Sequence, residues 1–193
     1  MPLIEIRQLT PDTRLGLWRI EEFVESKPRD RERKAVQELL TLMMGGDERF
    51  MVGHEDSGKP LIVLKSGNPL VGAKPVDSHI SISHTRGYVA ILLSEGERVG
   101  VDIEYRSDRV EGIASRFIRP DEHADNTDAK LLLWSAKEAV YKYFSEDHLA
   151  FFDMRMLSRN NKMLHVENIR RGTVTEVCYE FTADYVLTYC YSR

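Results

Sequence analysis

The sequence predicts a mixed α/β (α+β) chain built as two similar halves that meet near residue 97. Three observations predict it. Some stretches repeat apolar residues at helical spacing, many short stretches are β-branched, aromatic and bounded by turn residues, and the alternation of helix and strand signals starts afresh after "SEGER". No residue-level repeat joins the two halves.

The first half opens with a helix expected over Thr10 to Glu25, where Leu15, Leu17 or Trp18, and Phe23 fall near helical spacing and Thr10 and Asp12 are available as caps. A second helix is expected from Arg31 to Met44. Its apolar residues Val36, Leu39, Leu40 and Met43 follow one face, and Gly45 and Gly46 end it. Strands follow: "RFMVGHE", then "PLIVLK" after the turn signal "DSGK", then "HISISH" and "YVAILLS" as a hairpin closed by "TRG". The second half reads as a strand "VGVDIE" at 99–104, helical stretches at about 110–125 and a helix from Asp128 to Phe144. Four strands close it, "AFFDMRML", "KMLHVENI", "TEVCYEF" and "YVLTYCYS", separated by "RNN", "RRG" and "TAD".

Composition narrows the function. A chain of 193 residues buries a good core as one large domain or two small halves, and 42% hydrophobic with 30% charged residues is ordinary for a globular protein. A net charge of -4 argues against a general nucleic-acid binder. No window is long and apolar enough for a bilayer, and "MPLIEIRQLT" lacks a basic stretch followed by an apolar run, so a cytoplasmic protein is expected. Cys178 and Cys190 sit in strand-like stretches without metal-ligand spacing and read as reduced structural thiols. Catalysis is left to carboxylates, lysines and histidines.

In "VGVDIE" the side chains alternate, so Asp102 and Glu104 share one side and Val99, Val101 and Ile103 the other. In "LLLWSAKEAVYKYF" Glu138 and Lys142 share a helix face with Leu131 and Trp134, while Lys137 points elsewhere. Each motif has a plain structural reading, a strand with a solvated face and an exposed ion pair contributing a few tenths of a kcal/mol. Together they also read as a site: three carboxylates suit a hard cation such as Mg²⁺, and a lysine beside them suits a phosphate.

Three further stretches carry the same double reading. Ser83 and His84 in "HISISHTRG" are turn residues, or a hydroxyl and imidazole placed with free backbone N–H groups for an anion. Gly58, Lys59 and Pro60 in "DSGKP" form a turn, or contact a nucleotide. The stretch "KPRDRERK" is a solvated helix start, or Arg33 extends the stripe of Val36, Leu40 and Met43 towards a cleft. His54, His79, His123, His148 and His165 show no ligand spacing.

The order "GKP", "ISHT", "GVDIE" and "WSAKEAVYK" across residues 56–142 closely resembles the 4'-phosphopantetheinyl transferases of the surfactin-synthetase-activating (Sfp) type. The resemblance implies a pseudo-dimer of two halves, 1–97 and 98–193, each with helices packed on an antiparallel sheet, and coenzyme A in the cleft between them. It implies Asp102, Glu104 and Glu138 as ligands of Mg²⁺ or Mn²⁺, Lys142 as a pyrophosphate contact, Ser83 and His84 as coenzyme A phosphate contacts, and Gly58, Lys59 and Pro60 as an adenine-side loop. Gln37 stands where the family often has an arginine for the 3'-phosphate, which leaves Arg33, Lys34 or Arg29 for that group. Thr85 stands where a second serine is frequent.

The implied activity is transfer of 4'-phosphopantetheine from coenzyme A to a serine of an acyl or peptidyl carrier protein, with release of adenosine 3',5'-bisphosphate and Glu138 as base. Arg106, Arg116 and Arg119 are candidates for docking an acidic carrier. The two halves make a monomer sufficient. Two other classes remain in view: a non-catalytic module that binds coenzyme A or a carrier protein, and a metal-dependent phosphoesterase that ignores carriers.

Overall fold

The computed structural model describes residues 2–20, 27–66, 72 and 74–192. The fold is mixed α+β, with two long helices against antiparallel sheets, and the chain divides into two compact units, Met1–Val99 and Gly100–Arg193. No described helix is long and apolar enough to cross a membrane.

In the first unit, β1 (Leu3–Thr10), β2 (Thr13–Arg19), β7 (Tyr88–Ser94) and β6 (His79–Thr85) form an antiparallel sheet in the order β1-β2-β7-β6. A smaller sheet joins β3 (Phe50–His54), β4 (Pro60–Leu64) and β5 (Lys74–Pro75). The helix α1 (Pro28–Met43) begins with Pro28 in its first turn and ends where Gly45 and Gly46 take φ of +73° and +87°. Its buried face, Ala35, Leu39, Leu40 and Met43, packs with Trp18, Ile62, Ile80, Val89, Ile91 and Leu93. Gly16 of β2 lets α1 approach, since a Cβ there would lie 2.6 Å from Met43 Sδ.

The helix expected over Thr10 to Glu25 is instead the β1–β2 hairpin as far as Arg19; residues 21–25, with Phe23, lie outside the described residues. β2 is an inner strand covered on both faces, so Leu15, Leu17 and Trp18 are all buried and the period of two that would have announced a strand is erased. Thr10 and Asp12 belong to the turn, where the Asp12 N–H donates to Thr10 Oγ1 at 3.3 Å.

In the second unit, β8 (Val99–Tyr105), β9 (Met154–Asn160), β10 (Met163–Asn168), β11 (Thr173–Phe181) and β12 (Tyr185–Tyr191) form a sheet in the order β8-β12-β11-β10-β9. The helix α2 (Thr127–Tyr143) packs on it through Leu132, Leu133, Ala136, Ala139 and Val140 against Leu164, Val166, Val177, Val186 and Cys190. Asn126 Oδ1 caps it by accepting from Ala129 N at 2.8 Å. Cys178 and Cys190 form no disulfide, and burial pushes the Cys190 thiol far up.

Two local expectations are corrected. The helical stretch at 110–125 is a 3-10 segment, Asp108–Arg116, followed by turns from Phe117 onward; Pro120 cannot donate a helix hydrogen bond and restricts Arg119 before it. The strand expected to start at Ala150 begins only at Met154. Asp153 folds back, Oδ2 accepting from Ala150 N at 2.8 Å, and closes the 3-10 turn Phe151–Asp153.

Candidate functional site

The site in the second unit starts from a missing side chain. A Cβ on Gly100 would stand deep inside contact with the Ala139 carbonyl oxygen and 2.9 Å from Tyr143 N, so the backbones of β8 and α2 touch only because residue 100 is glycine. From there the strand and the helix run past each other, and three side chains on one helix face, Trp134, Glu138 and Lys142, meet Asp102 and Glu104.

Lys142 Nζ donates to Asp102 Oδ1 at 2.8 Å and to the Val101 carbonyl at 3.0 Å. Asp102 is 3% exposed, and Val99 to Ile103 are buried without a break, so the reading of "VGVDIE" as a strand with a solvated face falls. Asp102 Oδ2 is buried and accepts no hydrogen bond from a described residue. The exposed Glu138–Lys142 pair is not formed either; Lys142 pairs with Asp102. Glu104 Oε1 accepts from Trp134 Nε1 at 2.8 Å.

Three carboxylates share one poorly hydrated place, and burial there raises two of them, Glu104 and Glu138. Burial first, then the charge of Asp102, push Glu138 up to about 7, with Glu104 adding and Lys142 opposing. Burial and Asp102 also raise Glu104, against the Trp134 hydrogen bond and the charges of Lys142 and Arg109. Among the described residues no three Asp, Glu, His or Cys side chains form, as they are placed, a group that could hold a metal ion.

These shifts predict a pH-dependent stability. Glu138 ionises near 4.5 in the unfolded chain and near 7 in the fold, so between those values the folded state holds the extra proton and stability falls as pH rises. In chelator-treated protein the loss from pH 4.5 to 8 is expected to reach on the order of 2–3 kcal/mol. Denaturant melts across that range check it. Glu138→Gln should flatten the decline, and an equal slope in both proteins would contradict the assignment.

A second buried charge went unannounced in the sequence. Lys137, next to Glu138 and about 100° further around α2, is fully buried and donates to Glu122 Oε2 at 2.6 Å, to the Phe117 carbonyl at 2.7 Å and to the Phe151 carbonyl at 3.3 Å. Glu122 in turn accepts from Arg119 N and Met156 N. The pair ties α2 to the turns on either side of it. Its only sequence signal was a lysine on the apolar side of a helix.

The other expected residues lie in the first unit, at two different sheets and on α1. Gly58 turns β3 into β4 with φ of +85°, its N–H donating to the Glu55 carbonyl, and Lys59 and Pro60 follow it half-buried. Ser83 is buried on β6. His84 beside it is exposed, with Nδ1 3.5 Å from Glu32 Oε2 on α1. Arg33 is exposed and stands clear of the buried face of α1. Gln37 joins α1 to β3, with Nε2 donating to the Phe50 carbonyl at 2.8 Å and Oε1 accepting from Val52 N at 3.4 Å. Of the candidate docking arginines, Arg106 is paired with Asp128 and Arg119 with Asp121, and Arg116 is exposed.

This carboxylate and lysine arrangement lies wholly within the part of the chain that matches a known family. Residues 98–190 match the model of the 4'-phosphopantetheinyl transferase superfamily. The superfamily match runs from the start of β8 almost to the end of β12 and so takes in every residue of the α2–β8 site. No curated protein matches the chain.

Proposed function

We propose that the protein is a 4'-phosphopantetheinyl transferase of the surfactin-synthetase-activating type, a holo-acyl-carrier-protein synthase that moves phosphopantetheine from coenzyme A to a carrier-protein serine. The observation that carries this reading is the convergence of Asp102, Glu104 and Glu138 on the strip where Lys142 grips Asp102. The superfamily match over the same residues supports it. That the two units are similar halves of a pseudo-dimer belongs to the same proposal.

The donor set suits a hard divalent cation by its chemistry: it consists of oxygens only, and burial, with the neighbouring Asp102 charge second, raises Glu138 and Glu104, a strain that a bound cation would relieve. Asp102, Glu104 and Glu138 would hold Mg²⁺ or Mn²⁺, which supplies neutralising charge at the pyrophosphate. Lys142 Nζ, partly exposed beside Asp102, offers a second positive charge to the same phosphates. The carrier serine Oγ attacks the phosphorus that bears the pantetheine arm, Glu138 takes the hydroxyl proton, and the bond to the adenosine bisphosphate oxygen breaks. Gly58, Lys59, Pro60, Ser83, His84 and Arg33 are assigned to the adenosine end of coenzyme A. Lys59 and Arg33 bring the positive charge that its phosphates need, and Gln37, committed to β3, does not.

The test is the intact mass of an apo acyl carrier protein incubated with the protein, coenzyme A and Mg²⁺, beside a chelator control. A metal-dependent gain of one phosphopantetheine is expected. Asp102→Ala should abolish it while the far-ultraviolet circular dichroism stays native, and Glu138→Gln should slow it at least a hundredfold. Coenzyme A binding without any mass gain would favour the binding module, and phosphate ester hydrolysis without carrier would favour the phosphoesterase.

A further inference from the structure

Both carboxylates of β8 have one oxygen already taken. Asp102 Oδ1 accepts from Lys142 Nζ at 2.8 Å, and Glu104 Oε1 accepts from Trp134 Nε1 at 2.8 Å. The indole cannot swing away easily. Its ring stacks on Phe151 with centroids 4.8 Å apart and meets Phe117 edge-on at 5.2 Å, and Phe117 is itself fully buried. The aromatic trio fixes the direction of the N–H, and the N–H fixes which oxygen of Glu104 remains available.

We infer that Trp134 is a positioning residue that sets the cation selectivity of the site, by holding Glu104 as a one-oxygen ligand and so favouring Mg²⁺ or Mn²⁺ over Ca²⁺. The reason lies in the two ions' demands. Mg²⁺ takes single oxygens in a strict octahedron and keeps several waters, whereas Ca²⁺ takes six to eight oxygens and often both from one carboxylate. Bidentate ligation by Glu104 would require its Oε1 to leave the indole, and Lys142 imposes the same limit on Asp102. Outer partners of this kind tune metal affinity by roughly tenfold to a hundredfold. The inference rests on the proposed assignment of Asp102, Glu104 and Glu138 as metal ligands.

The experiment follows Mn²⁺ binding by electron paramagnetic resonance in the presence of coenzyme A, with Mg²⁺ and Ca²⁺ as competitors. Trp134→Phe keeps an aromatic ring between Phe117 and Phe151 and removes the donor. Its preference for Mg²⁺ over Ca²⁺ is expected to fall about tenfold relative to the native protein. A purely structural role for Trp134 would weaken both ions together and leave the ratio unchanged, which would overturn the inference.

A second measurement needs no variant. The chain has two tryptophans, so ¹⁵N-labelled protein gives two indole resonances, with Trp18 in the first unit as reference. The Trp134 indole proton should stay hydrogen-bonded on adding Mg²⁺ and shift on adding Ca²⁺; the same response to both ions would count against the inference. Failure of the underlying assignment looks different. In that case the native protein binds no Mn²⁺, or Asp102→Ala binds it as well as the native protein does.

Discussion

Gly100→Ala is expected to produce the most damaged protein that a single methyl group can make here. The new Cβ would run into the Ala139 carbonyl oxygen, Tyr143 N and Tyr143 Cβ, the last two at 2.9 and 3.0 Å. These are two backbone atoms and the root of a side chain, so no rotamer change relieves them. Either β8 leaves β12 or α2 lifts off the sheet, and the α2 side of that contact is held by Leu132, Leu133, Ala136 and Val140 in the core. Overpacking that side chains can absorb costs about 1–3 kcal/mol, and a backbone collision exceeds that range. A fall in melting temperature of roughly 10 °C or more follows for the transition of the second unit. Calorimetry measures it, and a native melting profile would refute the close approach. The proposed carrier modification should vanish with it, because a helix displaced from β8 separates Lys142 from Asp102 and Trp134 from Glu104.

Lys137→Met comes second and works through charge. Burial pushes the Lys137 ammonium below its ordinary range, and Glu122 pulls it back up. Removing the ammonium leaves the Glu122 carboxylate buried with only the Arg119 and Met156 N–H groups to satisfy it, a loss of about 3–5 kcal/mol in comparable buried pairs. The stranded carboxylate is the cause, so Lys137→Met with Glu122→Gln should regain a good part of the loss. Urea titration of the three variants gives the coupling. If the double variant is as unstable as the sum of the singles, the ion pair is not what the fold depends on.

Legibility in the sequence came from two signals, a turn between strands and a period on a half-covered element. The hairpin of β6 and β7 was legible through its Arg86–Gly87 turn, although β7 is buried almost throughout. α1 buries one face and showed its period plainly. β2 did not, because both its faces are buried and an apolar run of that kind has no period to read. β8 was legible as a strand, yet its alternation promised a wet face for Asp102 that the structure fills.

Within the candidate site, Asp102, Glu104, Glu138 and Lys142 stood out through residue type and spacing along two elements. Their partners did not. Trp134 read as part of an apolar stripe, and its N–H became meaningful only with Glu104 at its tip. Glu122 sits in an irregular segment 15 residues from Lys137, and nothing local to either residue announces the pair.

The bare contact at Gly100 also governs how this chemistry can change over generations. A site carried on a loop can be altered by adding or removing residues, since a longer loop simply bows outwards. Here a single inserted residue in β8 would turn Asp102 and Glu104 to the opposite side of the strand and set a side chain where none fits. Lengthening β8 between Gly100 and Glu104 is therefore closed as a route, and change within this strip is left to the exchange of side chains on a fixed frame.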